Sequence, residues 1–213
     1  MSELTNQVSV NTLQRLPIYL NYLKTLNEEG NISSTEIAKK LGLNDVQVRK
    51  DLSAVSSGGK PKVGYNIKGL ILDLKEFLGY NAVNDAVMVG CGNLGKALMS
   101  YRGFSEYGLR IVAGFDVSEE TIGGEIGGKP ILLIDSLPEY CRENGIKIGV
   151  ITTPAQAAQN ACDLLIEGGI KAIWNFAPAH IEVEDGVLVQ NENMASSLAR
   201  LSKHLNAMLE KNK

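Results

Sequence analysis

The apolar positions in the first part of the chain recur at spacings of three and four, which predicts short amphipathic helices. One such helix spans 12–29, where Pro17 indicates either a kink or a late start. The run Ser33–Glu36 matches a capping box, and the helix that it opens ends at Gly42, a residue suited to a left-handed C-cap. Because another helix follows at once, the segment is predicted to form a helix-turn-helix.

The helix after this glycine has two chemically different faces. Val48, Leu52 and Val55 lie on one face and are expected to be buried. The opposite face carries amide, guanidinium and ammonium donors that suit base edges and phosphates. The segment 56–66 predicts a β-hairpin wing that lies on the DNA backbone. The predicted DNA-binding residues of this winged helix are Gln47, Arg49, Lys50, Ser53, Lys60, Lys62 and Tyr65.

The charge of one segment, rather than that of the whole chain, supports DNA binding. The whole chain has a net charge of −3, but residues 39–68 contain seven basic side chains and two acidic ones. This excess is typical of a surface that binds phosphates, although a solvated helix face would give the same count. A small helical module that binds other proteins therefore stays open as the alternative.

Beyond residue 80 the pattern changes to short apolar runs that alternate with helical segments, which predicts a doubly wound parallel (Rossmann) sheet. Strands are predicted at 85–89, 109–115, 131–134, 147–151, 171–174 and 187–190. The predicted fold class is α/β. The predicted domains are a winged helix-turn-helix at 1–79, a Rossmann domain at 80–190 and a C-terminal helix at 191–213.

A glycine-rich turn joins the first Rossmann strand to its helix, and the second strand ends at Asp116. The glycines of such a turn allow the backbone to approach a pyrophosphate at the helix N-terminus. A carboxylate at the end of the second strand accepts hydrogen bonds from ribose hydroxyls and repels a 2′-phosphate. This favours NAD or NADH over NADP. The predicted cofactor-binding residues are Gly90, Cys91, Gly92, Asn93, Leu94, Gly95, Asp116, Val117, Thr152, Thr153 and Pro154. A glycine turn with a purely structural role is the alternative.

Other side chains argue for binding without catalysis. The Rossmann region leaves no room for a substrate domain of ordinary size, and neither His180 nor His204 presents itself as a hydride-transfer base. Cys91, Cys141 and Cys162 are far apart, so neither a disulfide framework nor a metal site is expected. Cys91 is interpreted as a small residue that fits the turn, with a reactive thiol as the alternative. A signal-peptide pattern and a membrane-length apolar run are both missing, which predicts a cytoplasmic protein.

The C-terminal segment is amphipathic, with apolar residues at spacings of three and four. Such a helix packs on its own domain or across a dimer. A helix-turn-helix protein that reads two half-sites favours the homodimer. The predicted dimer residues are Met194, Leu198, Leu201 and Leu205.

Several motifs occur together in this chain. They are Arg15-Leu16-Pro17, Val46-Gln47-Val48-Arg49-Lys50-Asp51-Leu52-Ser53, Gly59-Lys60-Pro61 with Val63-Gly64-Tyr65, the glycine turn, and the tail after Val189. With these motifs the chain resembles the Rex family of redox-sensing transcriptional repressors along essentially its whole length. The resemblance implies a homodimer whose winged helices bind a palindromic operator and whose C-terminal helix is swapped into the partner subunit. It also implies that NADH closes the dimer and releases the operator, while NAD⁺ opposes this.

The resemblance further implies roles for individual residues. Tyr101 matches a tyrosine that responds to the state of the cofactor. Arg15 matches an arginine that pairs with an acid at the start of the swapped helix, but Asn193 occupies the acid's position here and leaves at most a neutral hydrogen bond. Met194 stands where some relatives have an aromatic residue near the nicotinamide. A small NAD-dependent oxidoreductase with an accessory domain and a module that binds coenzyme A remain as alternatives.

Overall fold

The computed structural model describes residues 8–211. Its contacts divide the chain into two compact units, with the division between Ala82 and Val83. Each unit has a hydrophobic core of its own. No helix within the described range is both long and apolar enough to cross a membrane.

The N-terminal unit packs short helices against a small antiparallel sheet. Its elements are α1 (Val10–Leu23), β1 (Asn31–Ile32), α2 (Ser34–Leu41), α3 (Asp45–Val55), β2 (Tyr65–Asn66) and α4 (Ile67–Phe77). The predicted capping box is confirmed, because Glu36 N donates to Ser33 Oγ (3.1 Å) and Ser33 N donates to Glu36 Oε2 (2.8 Å). Gly42 ends α2 in the left-handed conformation (φ 65°), as predicted.

The start of α1 and the burial of α3 differ from the prediction in detail. α1 begins at Val10 and continues through Pro17, so the late start is wrong. Packing holds the helix despite the missing N–H of the proline, since Leu16 and Tyr19 on either side of it are fully buried. On α3, Val55 is partly rather than fully buried.

The wing is shorter than the predicted hairpin. Lys60 and Gly64 form a single antiparallel bridge, and β2 pairs with β1 instead of with a strand of the wing. Gly64 (φ 84°) lies so close to β1 that a Cβ atom would sit 2.3 Å from the carbonyl oxygen of Ile32. The chain therefore lies against β1 directly after the wing turn, where Tyr65 and Asn66 form β2.

The C-terminal unit is the predicted doubly wound sheet. Its elements are β3 (Asn84–Val89), α5 (Asn93–Ser100), β4 (Leu109–Asp116), β5 (Glu125–Ile126), β6 (Lys129–Leu133), α6 (Leu137–Glu143), β7 (Ile148–Ile151), α7 (Ala158–Glu167), β8 (Ala172–Asn175), β9 (Leu188–Asn191) and α8 (Met194–Lys211). The strand order is β5-β6-β4-β3-β7-β8-β9, and every pair except β5–β6 is parallel. This is the Rossmann order extended by β5, which the sequence pattern did not predict.

The sheet positions its central strand between two layers of apolar side chains. Val87 and Val89 of β3 belong to one core, whereas Ala86 and Met88 belong to the core on the opposite face. A strand buried on both faces has a continuous apolar sequence, which explains why the run before the glycine turn was easy to identify. The glycine turn follows the carboxyl end of this strand and therefore lies at the edge of the sheet.

The apolar stripe of α8 stands apart from both cores. Within the described part of the chain its residues belong to no hydrophobic core, and each apolar residue of the stripe is at least half exposed. The residues of the stripe are Met194, Leu198, Leu201, Leu205, Met208 and Leu209. An exposed apolar face of this length indicates an interaction surface.

Candidate functional site

A cavity of about 640 Å³ opens at the carboxyl ends of β3, β4 and β7. The strand order reverses between β3 and β7, which is where doubly wound sheets bind ligands. Of the predicted cofactor residues, those that line it are Gly90, Gly92, Leu94, Asp116, Val117, Thr152, Thr153 and Pro154. Residues that line it but were not predicted for the cofactor include Ile134, Ala157, Asn160, Phe176, Pro178 and Met194. They come from loops and helix starts later in the chain, which the glycine motif does not reveal. For Met194 the family resemblance had indicated a position near the nicotinamide.

The glycine turn has the geometry that a pyrophosphate requires. Gly90 has a positive φ of 93°, and a Cβ atom on Gly95 would lie 2.1 Å from the carbonyl oxygen of Gly90. Gly92 faces open space, so its backbone is accessible to a ligand. Thr152 Oγ1 donates to the carbonyl oxygen of Gly90 (2.6 Å) and ties the turn to the end of β7.

Backbone amides hold the carboxylate of Asp116 at the cavity edge. Its Oδ2 accepts from Cys91 N (2.6 Å), and its Oδ1 accepts from Val117 N (2.7 Å) and Ser118 N (3.0 Å). A carboxylate oxygen can accept more than one hydrogen bond, and Oδ2 accepts only the one from Cys91 N, so it can still bind a ribose hydroxyl. The negative charge at this place disfavours a 2′-phosphate.

One polar atom of the cavity region lacks a partner. Thr153 Oγ1 is buried and has no hydrogen-bond partner within the described residues. A buried hydroxyl without a partner is costly, and a bound ligand would satisfy it. Together with the glycine turn and Asp116, this hydroxyl shows that the residues present fit a dinucleotide.

The other predicted cofactor residues lie outside the lining of this cavity. Cys91 and Gly95 are buried, and Asn93 begins α5. Burial, followed by the charge of Asp116, raises the pKa of the Cys91 thiol to about 11. The thiol is therefore protonated at neutral pH, which supports a packing role rather than a reactive one. Tyr101 lines a separate cavity of about 240 Å³ with Phe104.

The predicted DNA-binding face is exposed on α3. Gln47, Arg49, Lys50 and Ser53 all reach solvent, while Val48 and Leu52 are buried on the other side. Arg49, Lys60 and Lys62 line a groove of about 630 Å³ between α3 and the wing. Its three basic side chains outnumber the one carboxylate in the lining, Glu36, so the charge of the groove suits a phosphate backbone.

Tyr65 is placed differently from the other predicted DNA-binding residues. It is only 8% exposed and packs in the core of the N-terminal unit. A Cβ atom on Gly59 would lie 2.7 Å from its Cζ, so the ring supports the wing from beneath. Tyr65 also lines the groove beside Lys60 and Lys62, so its contact with DNA stays a prediction.

A buried carboxylate that the sequence reading missed joins α1 to the recognition helix α3. Asp51 is 4% exposed and accepts hydrogen bonds from Arg15 Nε (2.7 Å), Arg15 Nη2 (2.9 Å), Thr12 Oγ1 (3.0 Å) and the Tyr19 hydroxyl (2.7 Å). Burial raises the pKa of Asp51, but the hydrogen bonds from Arg15, Tyr19 and Thr12 outweigh it and hold the pKa below its usual value. Burial and Asp51 together raise the pKa of Tyr19 to about 12. The available signal was spacing, because Asp51 follows Val48 by three residues and precedes Val55 by four, which places it on the apolar face of α3.

Arg15 and Asn193 each have a partner in their own unit. Arg15 binds Asp51 in a bidentate pair, and Asn193 Oδ1 accepts from Ser196 N (2.8 Å) as the N-cap of α8. The contact between Arg15 and Asn193 that the family resemblance implies stays a prediction. Within the described residues, no cluster of His, Cys, Asp and Glu has the arrangement of a metal site.

Comparisons with known proteins agree with both sites. Residues 7–53 match the family model of a putative DNA-binding protein N-terminus, and residues 81–179 match that of a CoA binding domain. The redox-sensing transcriptional repressor Rex of Bacteroides fragilis is 41% identical over 92% of this chain and 90% of its own length. The chain belongs to the Rex family. Rex of Treponema denticola is 42% identical over 92% of this chain and 94% of its own length.

Solved Rex structures extend the similarity to the fold. The complex of the Rex-family repressor RSP with β-NAD⁺ and operator DNA has a TM-score of 0.89 at 33% identity and covers 96% of this chain and 95% of its own. The complex of RSP with β-NADH has a TM-score of 0.85 at 33% identity and covers 97% and 98%. These relatives confirm the predicted Rex family and its DNA-binding and Rossmann architecture, and RSP itself binds both NAD⁺ and NADH. They also confirm a transcriptional repressor rather than an enzyme.

Proposed function

We propose that this chain represses transcription as a homodimer that holds a palindromic operator and releases it when NADH occupies the Rossmann cavity, with NAD⁺ opposing the release. The observation that carries the proposal is the presence, in one chain, of an exposed basic face on α3 and a dinucleotide cavity at the sheet switch point. The residues that we assign to the operator are Gln47, Arg49, Lys50, Ser53, Lys60 and Lys62. Their donors suit base edges and phosphates.

The cavity wall supports a preference for the reduced cofactor. Phe176, Pro178 and Met194 give the cavity an apolar side. The nicotinamide ring is neutral in NADH and cationic in NAD⁺, and a cation loses more solvation in apolar surroundings. Asp116, which also lines the cavity, selects the ribose without a 2′-phosphate.

The α8 stripe supports the homodimer. Its apolar side chains are exposed in the single chain, and full burial of each Leu or Met contributes about 1.5–3 kcal/mol. Swapping α8 into a second copy would cover the stripe and place two α3 helices on successive half-sites of a palindrome. A shift between DNA-competent and closed dimers then couples the cofactor to the operator.

The proposal is tested by fluorescence anisotropy of a labelled palindromic operator at fixed salt. We expect NADH to release the operator, NAD⁺ to oppose that release, and NADPH to act only at much higher concentration because of Asp116. By linkage, operator must weaken NADH binding by the same factor by which NADH weakens operator binding. Operator binding that is indifferent to NADH, or NADH affinity that is identical with and without operator, would refute the proposal.

A further inference from the structure

The end of β8 holds the segment that leads into α8. Trp174 Nε1 donates to Glu192 Oε1 (2.9 Å), and Asn175 Nδ2 donates to Asn191 Oδ1 (2.8 Å). The backbone adds a third link, because Glu192 N donates to the carbonyl oxygen of Asn175 (2.8 Å). Two adjacent residues of β8 therefore fix the last residues before the helix begins at Met194.

The same end of β8 also builds the wall of the cofactor cavity. Asn175 Oδ1 accepts from Ala177 N (3.0 Å) and its Nδ2 donates to the carbonyl oxygen of Ala179 (3.1 Å). These bonds hold the loop that carries Phe176 into the cavity lining. Asn175 is fully buried with its side-chain amide satisfied, so it anchors the end of β8 from which the loop extends.

Trp174 links the cavity wall to two further parts of the unit. Its ring lies 4.7 Å from Phe176 and 5.6 Å from Phe104, measured between ring centroids. Phe104 in turn lies 4.9 Å from Tyr101. Trp174 is thus in contact with a cofactor-lining ring on one side, with the ring next to Tyr101 on another, and with Glu192 through its N–H.

Trp174 and Glu192 differ from Asn175 in their freedom to move. Both side chains are partly exposed, and their hydrogen bond is the single side-chain link between them. Neither residue lines the cofactor cavity itself, and Trp174 contacts the cavity wall through the Phe176 ring. A second cavity of about 600 Å³ lies between the Phe176 loop and the start of α8 and gives the helix start room to shift.

We propose that Trp174 is a positioning residue that transmits occupancy of the cofactor cavity to the start of α8 through its hydrogen bond to Glu192. The inference rests on the proposed function, since it concerns the strength of coupling between NADH and operator. A ligand that displaces Phe176 displaces the ring packed against it, and the indole N–H carries that displacement to Glu192. The buried Asn175 keeps the sheet end fixed while this happens.

The test compares Trp174→Phe, which keeps an aromatic ring but removes the N–H, with Glu192→Ala, which removes the acceptor. The coupling factor is the ratio of the NADH dissociation constants measured with and without operator. We expect each substitution to lower this factor about three- to tenfold, the range of one hydrogen bond of moderate strength. The double variant should lower it no further than either single one, because both remove the same interaction.

A matched control keeps the acceptor. Glu192→Gln retains an oxygen for the indole N–H and should keep the wild-type coupling factor. In all variants, operator affinity without NADH and NADH affinity without operator should stay within about twofold of wild type, whereas a general structural defect would change both.

The outcomes separate this inference from the proposed function. Full coupling in Trp174→Phe and Glu192→Ala would overturn the role of Trp174 while leaving the redox repressor intact. A fall in NADH affinity by the same amount with and without operator would also overturn it, because Trp174 would then only support the cavity. A wild-type protein without any coupling would refute the proposed function and this inference together.

Discussion

Asp51 lies behind the DNA-binding face of α3 and Asp116 lies at the edge of the cofactor cavity, and the two carboxylates are held by different kinds of group. Asp51 is nearly buried and is bound by the side chains of Thr12, Arg15 and Tyr19 on another helix. Asp116 is at a cavity edge and is bound by backbone amides of its own loop and of the glycine turn. Side-chain bonds can be removed one substitution at a time, whereas backbone amides remain whatever the sequence.

The difference separates the two roles. The Asp51 cluster orients α3 relative to α1, so it determines how the recognition helix is presented. The Asp116 carboxylate faces a ligand cavity, so it determines which dinucleotide is accepted. We expect changes at Asp51 to affect stability first and changes at Asp116 to affect cofactor choice first.

The largest effect is expected for Asp51→Ala. The change leaves the partly buried guanidinium of Arg15 without its partner, and breaking such a pair costs about 3 kcal/mol of unfolding free energy. Urea unfolding followed by circular dichroism measures the loss. Asp85→Ala is the matched control, because Asp85 and Arg110 form a bidentate pair that is far more exposed and should matter much less. Equal losses in the two variants would show that the buried cluster has no special role.

A smaller and different effect is expected for Asp116→Asn. The single amide oxygen can still accept from Val117 N and Ser118 N, but the second acceptor and the negative charge that would bind ribose hydroxyls are gone. NADH affinity should fall about tenfold, since hydrogen bonds to charged groups contribute about 1.5–3 kcal/mol. NADPH affinity should fall less, so the ratio of NADH affinity to NADPH affinity should become smaller. Titration of the protein with each ligand measures this ratio.

Asp135→Asn serves as the control for that measurement, because Asp135 is exposed and lies outside the cavity lining. It should leave both affinities unchanged. An unaltered preference for NADH over NADPH in Asp116→Asn would remove Asp116 from cofactor selection and leave it with a role in the loop alone.

The smallest effect is the pH dependence of Asp51. Its pKa is lowered in the folded state, so the stability it contributes is present above the usual aspartate pKa of about 3.9 and is lost as pH falls through the lowered value. Asp51→Asn should flatten this acid limb of the unfolding free energy of the N-terminal unit. Glu36, whose pKa is lowered by the hydrogen bonds from Ser33, remains as background in both proteins. If the unfolding free energy of Asp51→Asn falls as steeply with decreasing pH as that of the wild type, Asp51 is not the group responsible.

Short-range signals were predicted correctly where their partners are close in the chain. The Ser33–Glu36 capping box, the Gly42 C-cap and the strand before Gly90 all involve neighbours within a few residues. The burial of Tyr65 was missed, because an aromatic residue in a lysine-rich wing looks the same in sequence whether it faces DNA or the core. The cavity wall at Phe176 was missed because its loop follows β8, far from the glycine turn.

The amino-acid sequence by itself determined the order of the elements, the glycine turn, the acid at the end of β4 and the family to which the chain belongs. These features depend on local backbone preference and on apolar periodicity, which are written in contiguous residues. The tertiary structure decided that Asp51 takes Arg15, Tyr19 and Thr12 as partners across at least 32 residues of chain. It also decided that Trp174 joins the cofactor wall to Glu192. Such pairings depend on how helices and strands pack against one another, and spacing along the chain does not encode that geometry.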